Sequence, residues 1–221
     1  MKARLSQGLF ITFEGGEGAG KSTQIRRLHA RLQARSIKTH VTREPGGTPG
    51  AELIRALILD GTEPALDALT ETLLFYAARA NHLAEFIRPA LARGDVVICD
   101  RFSDSTRVYQ GVLGAVPSAV VEQLEALVVA ETKPDLTIIL DIPPETGLAR
   151  ASQRRGSHQA DRFESESLEF HKKLRQGFLD LAERDPDRIV VVPALGDEEQ
   201  IEIEILKKLS ERFSLFERRH T

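Results

Sequence analysis

The chain predicts an α/β fold in which a five-stranded parallel sheet carries helices on both faces. Three observations predict it. Short apolar runs rich in β-branched residues alternate with longer helical patterns along the 221 residues, as expected for strands buried on both faces and joined by helical crossovers. The first run, Leu9–Phe13, leads into Gly15, four residues, then Gly20-Lys21-Ser22, which is the phosphate-cradling pattern G-x-x-x-x-G-K-[ST] set between a strand and a helix. The class is therefore the P-loop NTPase fold. Finally, Gly94-Asp95, Lys133-Pro134-Asp135 and Asp185-Pro186-Asp187 each precede an apolar run and supply its turn.

The predicted strands are Leu9–Phe13, Thr39–Thr42, Val96–Cys99, Leu136–Leu140 and Ile189–Val192. A helix follows the P-loop at Lys21–Ala34, a second spans Gly50–Leu59, and a long one spans Leu66–Ala92. Further helices are expected at Ser118–Glu131, Glu145–Gln153, Ser165–Arg184 and Glu198–Phe213. Nothing in this order calls for a second domain, so residues 1–221 are expected to form one, with no repeat or linker.

Composition narrows the function classes. A formal charge of −3 argues against a general nucleic-acid coat. One cysteine, Cys99, excludes an internal disulfide and fits a reducing compartment. The first residues lead straight into the first strand, and no run of 18 apolar residues occurs. The expectation is a soluble, cytoplasmic protein that binds neither membrane nor nucleic acid.

The P-loop residues Gly15, Gly16, Glu17, Gly18, Ala19, Gly20, Lys21, Ser22 and Thr23 predict a nucleoside triphosphate site. Glycines let backbone amides wrap a polyphosphate, and the helix that follows presents its positive end to the same anion. Lys21 reaches the β/γ-phosphates and Ser22 ligates Mg²⁺. In an open parallel sheet the ligands sit beyond the carboxyl ends of the strands. Those ends read Glu14-Gly15, Arg43-Glu44-Pro45-Gly46-Gly47, Asp100-Arg101 and Asp141. Asp100 occupies the place of an Mg²⁺-holding carboxylate, with a helix cap as the alternative. Asp141, before Ile142-Pro143-Pro144, reads as a turn or N-cap residue. The six histidines show no metal-ligand spacing and are expected at the surface or on helix faces, and Cys99 is expected to pack as a small hydrophobe. The terminal Glu217–Thr221 segment reads as a frayed tail.

Five ordered blocks then make the chain resemble the thymidylate kinases along nearly its whole length. They are Phe13–Thr23, Thr42–Thr48, Leu74–Arg79, the group Asp100-Arg101-Phe102 with Asp104-Ser105-Thr106 and Tyr109-Gln110-Gly111, and Lys133-Pro134-Asp135-Leu136 continuing to Asp161-Arg162-Phe163-Glu164. The P-loop alone identifies only a nucleotide-binding superfamily; the middle blocks are the specific ones. The resemblance implies transfer of the γ-phosphoryl of ATP to dTMP, with Mg²⁺, by a homodimer. Leu83, Phe86, Ile87 and Leu91 on the long helix are equally readable as dimer or core residues.

The resemblance also implies roles. Phe75 stacks on the thymine and Arg79, one helical turn on, reads its edge; from spacing alone, a core Phe with a solvated Arg reads as well. Arg101 clamps the acceptor phosphate with its planar fork. Ser105, Thr106 and Gln110 contact the base, and Tyr109 crowds the sugar's 2′ carbon. Glu17 meets the acceptor's 3′-hydroxyl, or is a solvated loop carboxylate. Arg43, Glu44 and Pro45 form the acceptor-side loop. Gly18 stands where some relatives carry a P-loop arginine, so the catalytic charge is expected from a lid at about 150–162, through Arg154 and Arg155, with Arg150 on the ATP side. As bare composition, that arginine cluster is a solvated loop. Two other readings remain: a P-loop kinase for another small acceptor, with Glu14 as base if the acceptor is a nucleoside, or a nucleotide-dependent switch or DNA-associated ATPase, against which stand the lack of an Asn-Lys-x-Asp stretch and the acidic balance.

Overall fold

The computed structural model describes residues 8–59, 66–114, 116–155, 163 and 165–216, with the Arg155 side chain left out. The lid segment 156–162, most of the Asp161–Glu164 block and the terminal 217–221 tail lie outside the described residues. Five parallel strands, β1 Leu9–Glu14, β2 Thr39–Arg43, β3 Val96–Asp100, β4 Leu136–Asp141 and β5 Ile189–Pro193, form one sheet in the order β2-β3-β1-β4-β5. Every strand runs one residue past its predicted end, and the added residues are Glu14, Arg43, Asp100, Asp141 and Pro193. Ladder hydrogen bonds come from the backbone and need no apolar side chain. In register, Phe13 and Arg43 both sit opposite Asp100, and Glu14 sits opposite Ile139.

Strand alternation sends residues to two cores. Leu9, Ile11 and Phe13 pack with Ile98, Ile138 and Leu140 beneath α1 (Lys21–Ala34) and α9 (Glu198–Arg212), which supply Ile25, Leu28, Ile205 and Leu209. On the other face Phe10, Val97 and Cys99 meet the second core. It is covered by the chain of α3 (Ala68–His82), a π-helical turn (Leu83–Ile87) and α4 (Arg88–Ala92), while α8 (Leu168–Arg184) covers Ile139 and Ile189. Cys99 thus packs as expected, fully buried with its Sγ 3.0 Å from the Arg101 carbonyl. The predicted long helix is interrupted by the π turn, and its Leu83 and Ile87 are core residues.

Two short α-helices, α2 (Pro49–Leu59) and α6 (Ser118–Val128), pack on α3. A helical stretch absent from the prediction, α5 (Ser103–Thr106) continuing into a π-helical Arg107–Leu113, lies beyond the end of β3. It forms because its polar side chains find buried partners: Asp104 takes two hydrogen bonds from Arg188, at 2.7 and 2.9 Å, and one from Thr137 at 3.0 Å. Asp141 is a strand residue paired with Arg175 at 2.7 and 2.8 Å rather than a cap; α7 (Pro144–Arg155) starts three residues later. Among the described residues, His82 and His171 stand on α3 and α8, as the helix-face expectation allows, but on the inner faces: His82 is fully buried and His171 nearly so.

Candidate active site

A cleft of about 200 Å³ lies across the carboxyl ends of β1, β2 and β3. Its floor is the P-loop. Gly18 has φ +65°, and a Cβ there would collide with the carbonyl oxygen of Gly147, so the loop lies directly on the first turn of α7, where only glycine fits. Lys21 is buried and donates from Nζ to the carbonyls of Gly15 (3.0 Å) and Gly16 (2.9 Å). Burial and the neighbouring Arg101 push its pKa below the usual lysine range, against Glu17, Asp100 and Glu14. Ser22 Oγ donates to Asp100 Oδ2 at 3.1 Å, which sets a hydroxyl and a carboxylate side by side. Such hard oxygens suit Mg²⁺, which keeps several waters and takes few protein ligands.

One wall is built on Arg101, which follows β3 with φ +66°, a conformation costly for a residue with a Cβ and held only when neighbours over-determine it. Here they do. The Arg101 N–H donates to the Phe13 carbonyl at 2.9 Å, and the next amide, Phe102, donates to Glu14 Oε1 at 2.8 Å. Glu14 also accepts from the Ser105 amide at 3.2 Å and its hydroxyl at 2.6 Å. Burial, then the nearby Asp104 carboxylate, raise its pKa to about 7, opposed by Arg101. Although perturbed carboxyls mark many catalytic sites, Glu14 lies under the wall and is not among the cleft-lining residues. The Arg101 guanidinium pairs with Glu17 and lies 5.3 Å from the Tyr109 ring centre. Burial opposes its charge, yet Tyr109, Glu17, Glu14 and Asp100 raise its pKa above the ordinary arginine value. Glu17 is its counterpart: burial pushes the carboxyl up, but Arg101, Lys21 and Arg154 together hold it below the usual range.

The far end belongs to α3. Phe75 is half-buried in the cleft, and Arg79, one turn later, is 2% exposed. Arg79 Nε donates to Glu44 Oε2 at 2.7 Å and Nη2 to Thr106 Oγ1 at 3.1 Å. Its Nη1 is buried with no hydrogen-bond partner among the described residues. Gln110, across from it, donates to Glu71 Oε1 at 3.0 Å. Tyr109 meets Phe163 edge-on at 5.2 Å.

Of the residues singled out from sequence, Glu17, Gly18, Ala19, Gly20, Lys21, Ser22, Arg43, Glu44, Pro45, Phe75, Arg79, Asp100, Arg101, Ser105, Thr106, Tyr109, Gln110 and Arg154 all line this cleft. Several are paired within the protein, among them Glu44 with Arg79 and His82, Glu17 with Arg101, and the exposed Arg43 with Glu52 at 3.0 Å. Gly15 and Gly16 border a small hollow behind the P-loop. Thr23 follows into α1, and Arg150 donates to the Ala194 carbonyl at 2.9 Å, outside the main cleft. Sequence reasoning missed Arg55, Leu59, Phe102 and Phe163 as lining residues. Phe102 and Phe163 stand inside the matched blocks, while Arg55 is placed by a contact that local sequence does not announce, Nη1 to the Pro45 carbonyl at 2.7 Å.

Residues 13–205 match the family model described as thymidylate kinase. The chain belongs to the thymidylate kinase family. It is 53% identical over 211 residues to the thymidylate kinase of Nitrobacter winogradskyi, covering 96% of this chain and 92% of that one. With the Caulobacter vibrioides thymidylate kinase it is 52% identical, covering 96% of this chain and all of the relative. The crystal structure of thymidylate kinase from Ehrlichia chaffeensis superimposes with a TM-score of 0.74 at 32% identity, covering 91% of this chain and 98% of the other. Thymidylate kinases are therefore the frame in which the cleft is to be read, and the P-loop NTPase fold with its five-stranded parallel sheet is that of the family.

Proposed function

We propose that this chain transfers the γ-phosphoryl group of ATP·Mg²⁺ to dTMP, yielding ADP and dTDP for dTTP biosynthesis. The observation that carries the reading is the pairing, in one cleft, of the Lys21 phosphate cradle with a half-buried Phe75 and an Arg79 whose Nη1 has no hydrogen-bond partner among the described residues. The former suits a triphosphate; the latter suits a flat base with a hydrogen-bond acceptor on its edge.

A phosphate-monoester oxygen of dTMP attacks the γ-phosphorus, and the bond from that phosphorus to the bridging oxygen of ADP breaks. The second pKa of such a monoester is about 6, so the nucleophile is already ionised near neutral pH and needs no base. This separates the reading from a nucleoside kinase. Glu14, the carboxylate that a nucleoside acceptor would require, is tied up by Phe102 and Ser105 away from the cleft. The barrier left is repulsion between two polyanions, lowered by preset positive charge in a site with little water. Lys21 serves the donor phosphates, Arg101 the acceptor phosphate, and Arg154, with Arg155, the transferred group. Glu17 receives the 3′-hydroxyl while keeping Arg101 in place. Ser22 and Asp100 would hold Mg²⁺, which neutralises charge on the β- and γ-phosphates when bound. Arg43 turns to the acceptor phosphate by leaving Glu52. Tyr109 limits space at the 2′ carbon, Ser105, Thr106 and Gln110 frame the base, and Arg150 borders the donor side.

The chain acts as one domain with residues 150–162 as its lid, in the cytoplasm; the single buried Cys99 and the lack, among the described residues, of a helix able to cross a membrane fit that location. It works as a homodimer. The support is a leucine face on adjoining helices, with Leu53 (73% exposed) and Leu57 on α2, Leu69 and Leu73 on α3, and Leu127 (78% exposed) on α6, so Leu127→Glu should yield monomer on sedimentation. A coupled assay of ATP with dTMP, dUMP, dCMP, dGMP and thymidine tests the activity. Fast turnover of thymidine without turnover of dTMP would overturn it.

A further inference from the structure

Thr42, His82, Glu44, Arg79 and Thr106 form one continuous chain of hydrogen bonds running from β2 to α5. His82 Nε2 lies 2.7 Å from Thr42 Oγ1, and its Nδ1 lies 3.0 Å from Glu44 Oε1. The other Glu44 oxygen takes Arg79 Nε, and Arg79 Nη2 goes on to Thr106. The imidazole is fully buried, stacked on Phe86 at 5.9 Å and 19°, and does not line the cleft. Gly47 seals it from above: a Cβ there would fall 2.5 Å from both His82 Nε2 and Thr42 Oγ1.

A carboxylate held by one partner can still turn about its last torsion. A second partner on the other oxygen fixes the plane; here Arg79 and His82, three residues apart on α3, hold one oxygen each. With Glu44 fixed, the planar fork of Arg79 has Nε and Nη2 assigned, and its orientation follows as a rigid unit. What remains is Nη1, buried and unpartnered among the described residues. We infer that His82 is a positioning residue for base recognition, which clamps Glu44 so that Arg79 presents Nη1 to the acceptor base. The inference rests on the reading of Arg79 as the donor to the base edge, and it assigns the β2–α3 contact a task in specificity.

The test is calorimetric binding of dTMP without ATP, together with steady-state kinetics. His82→Phe keeps a ring against Phe86 but removes both hydrogen bonds, and it should raise Kd and KM for dTMP about 5- to 20-fold, the loss expected from one mis-set charged hydrogen bond. Turnover and the KM for ATP should stay within about twofold, since neither the P-loop nor the lid depends on this ring. His82→Asn, whose amide can reach the Nδ1 position, should return dTMP affinity to within about threefold of wild type. In Arg79→Lys, which lacks Nη1, adding His82→Phe should cost little more, because both changes remove one interaction.

Unchanged dTMP binding in His82→Phe, an equal rise in both KM values, or an Asn variant as impaired as Phe would each overturn the inference. Normal dTMP binding by Arg79→Lys would instead overturn the base-edge reading beneath it. Should His82→Phe fail to fold, Thr42→Val keeps the ring and frees its far side. It should weaken dTMP in the same direction by a smaller factor, and no change there counts against His82.

Discussion

The two ends of the cleft are held in shape by different physics. At the P-loop the geometry is set by backbone: glycine conformations, the Gly18–Gly147 contact, and a lysine that ties down the loop's own carbonyls. At the α3 end it is set by buried charge, with Arg79 and Glu44 almost without exposure and joined at 2.7 Å. A backbone cradle reads any polyphosphate, since every nucleoside triphosphate offers the same anion. A chain of buried side chains can be specific, because each member takes its direction from the one behind it. The price is fragility: removing one partner from such a pair costs about 3–5 kcal/mol, whereas surface changes near the P-loop should cost little.

The largest expected effect lies between the two ends. Arg154 lines the cleft and its charge helps hold Glu17 ionised. Replacing Arg154 and Arg155 together by Ala should lower kcat by about 10³ to 10⁵, the range for an arginine acting on a transferred phosphoryl group. Affinity for dTMP, fixed at the α3 end, should hardly move. Single-turnover rates with separately measured dTMP binding decide the matter, and wild-type turnover in the double variant would remove the lid from the mechanism.

Gly18→Ala attacks the backbone end alone. The added Cβ meets a positive φ and the Gly147 carbonyl, and the strain should cost roughly 2–4 kcal/mol. Urea unfolding should show the loss and ATP binding should weaken at least about tenfold, while dTMP binding stays near wild type in the folded fraction. Equal weakening of both ligands would mean that the two ends are not independent.

How much of this was legible beforehand follows the same division. The P-loop was readable in full, because local pattern dictates local backbone: α1 runs from Lys21 to Ala34 as predicted. The strands were placed but ended one residue early, because apolar patterning stops at Glu14, Arg43, Asp100 and Asp141, and at Pro193 in the last strand, while the backbone ladder continues. The stretch 103–113 was missed as helix; Ser103, Ser105 and Thr106 carry weak helical preference, and Thr137 and Arg188 stabilise it through Asp104 from 33 and 84 residues away in sequence. The Glu44–His82 contact spans 38 residues, and nothing in either neighbourhood announces it. Local sequence thus reveals which residues line the cleft better than it reveals which residues hold them in place.

Glu14 offers a cleaner perturbation of the wall under Arg101. Its pKa is raised from 4.5 to about 7 by burial first and by Asp104 second. Between those values the unfolded chain has released a proton that the folded chain still holds, so stability falls as pH rises through this window. At about 1.4 kcal/mol per tenfold, the loss amounts to roughly 3 kcal/mol by pH 7. Glu14→Gln keeps an acceptor for the Phe102 amide and a group for Ser105 but cannot ionise. Its stability should lack that decline, so the variant should overtake the wild type as pH rises from 5 to 8. Parallel pH profiles in urea unfolding would show that Glu14 ionises as freely in the folded chain as in the unfolded one. A large drop in kcat for Glu14→Gln with dTMP as acceptor would point to a base after all.

The smallest effects belong to the base itself. Phe75→Ala removes a stacking surface worth about 1–3 kcal/mol per base, so the KM for dTMP should rise roughly 5- to 150-fold with kcat reduced far less. Arg79 should still read the edge, because its direction comes from Glu44 and Thr106 rather than from Phe75. The ratio of dTMP to dUMP efficiency separates the two contributions. A methyl group in a fitted pocket discriminates by about 10- to 200-fold, so the wild type should turn over dUMP slowly but measurably. Stacking acts on either ring, and Phe75→Ala should therefore weaken both nucleotides with the ratio nearly kept. A collapse of the ratio would place the methyl group against Phe75 itself and move the source of thymine selectivity from the pocket's shape to its aromatic wall.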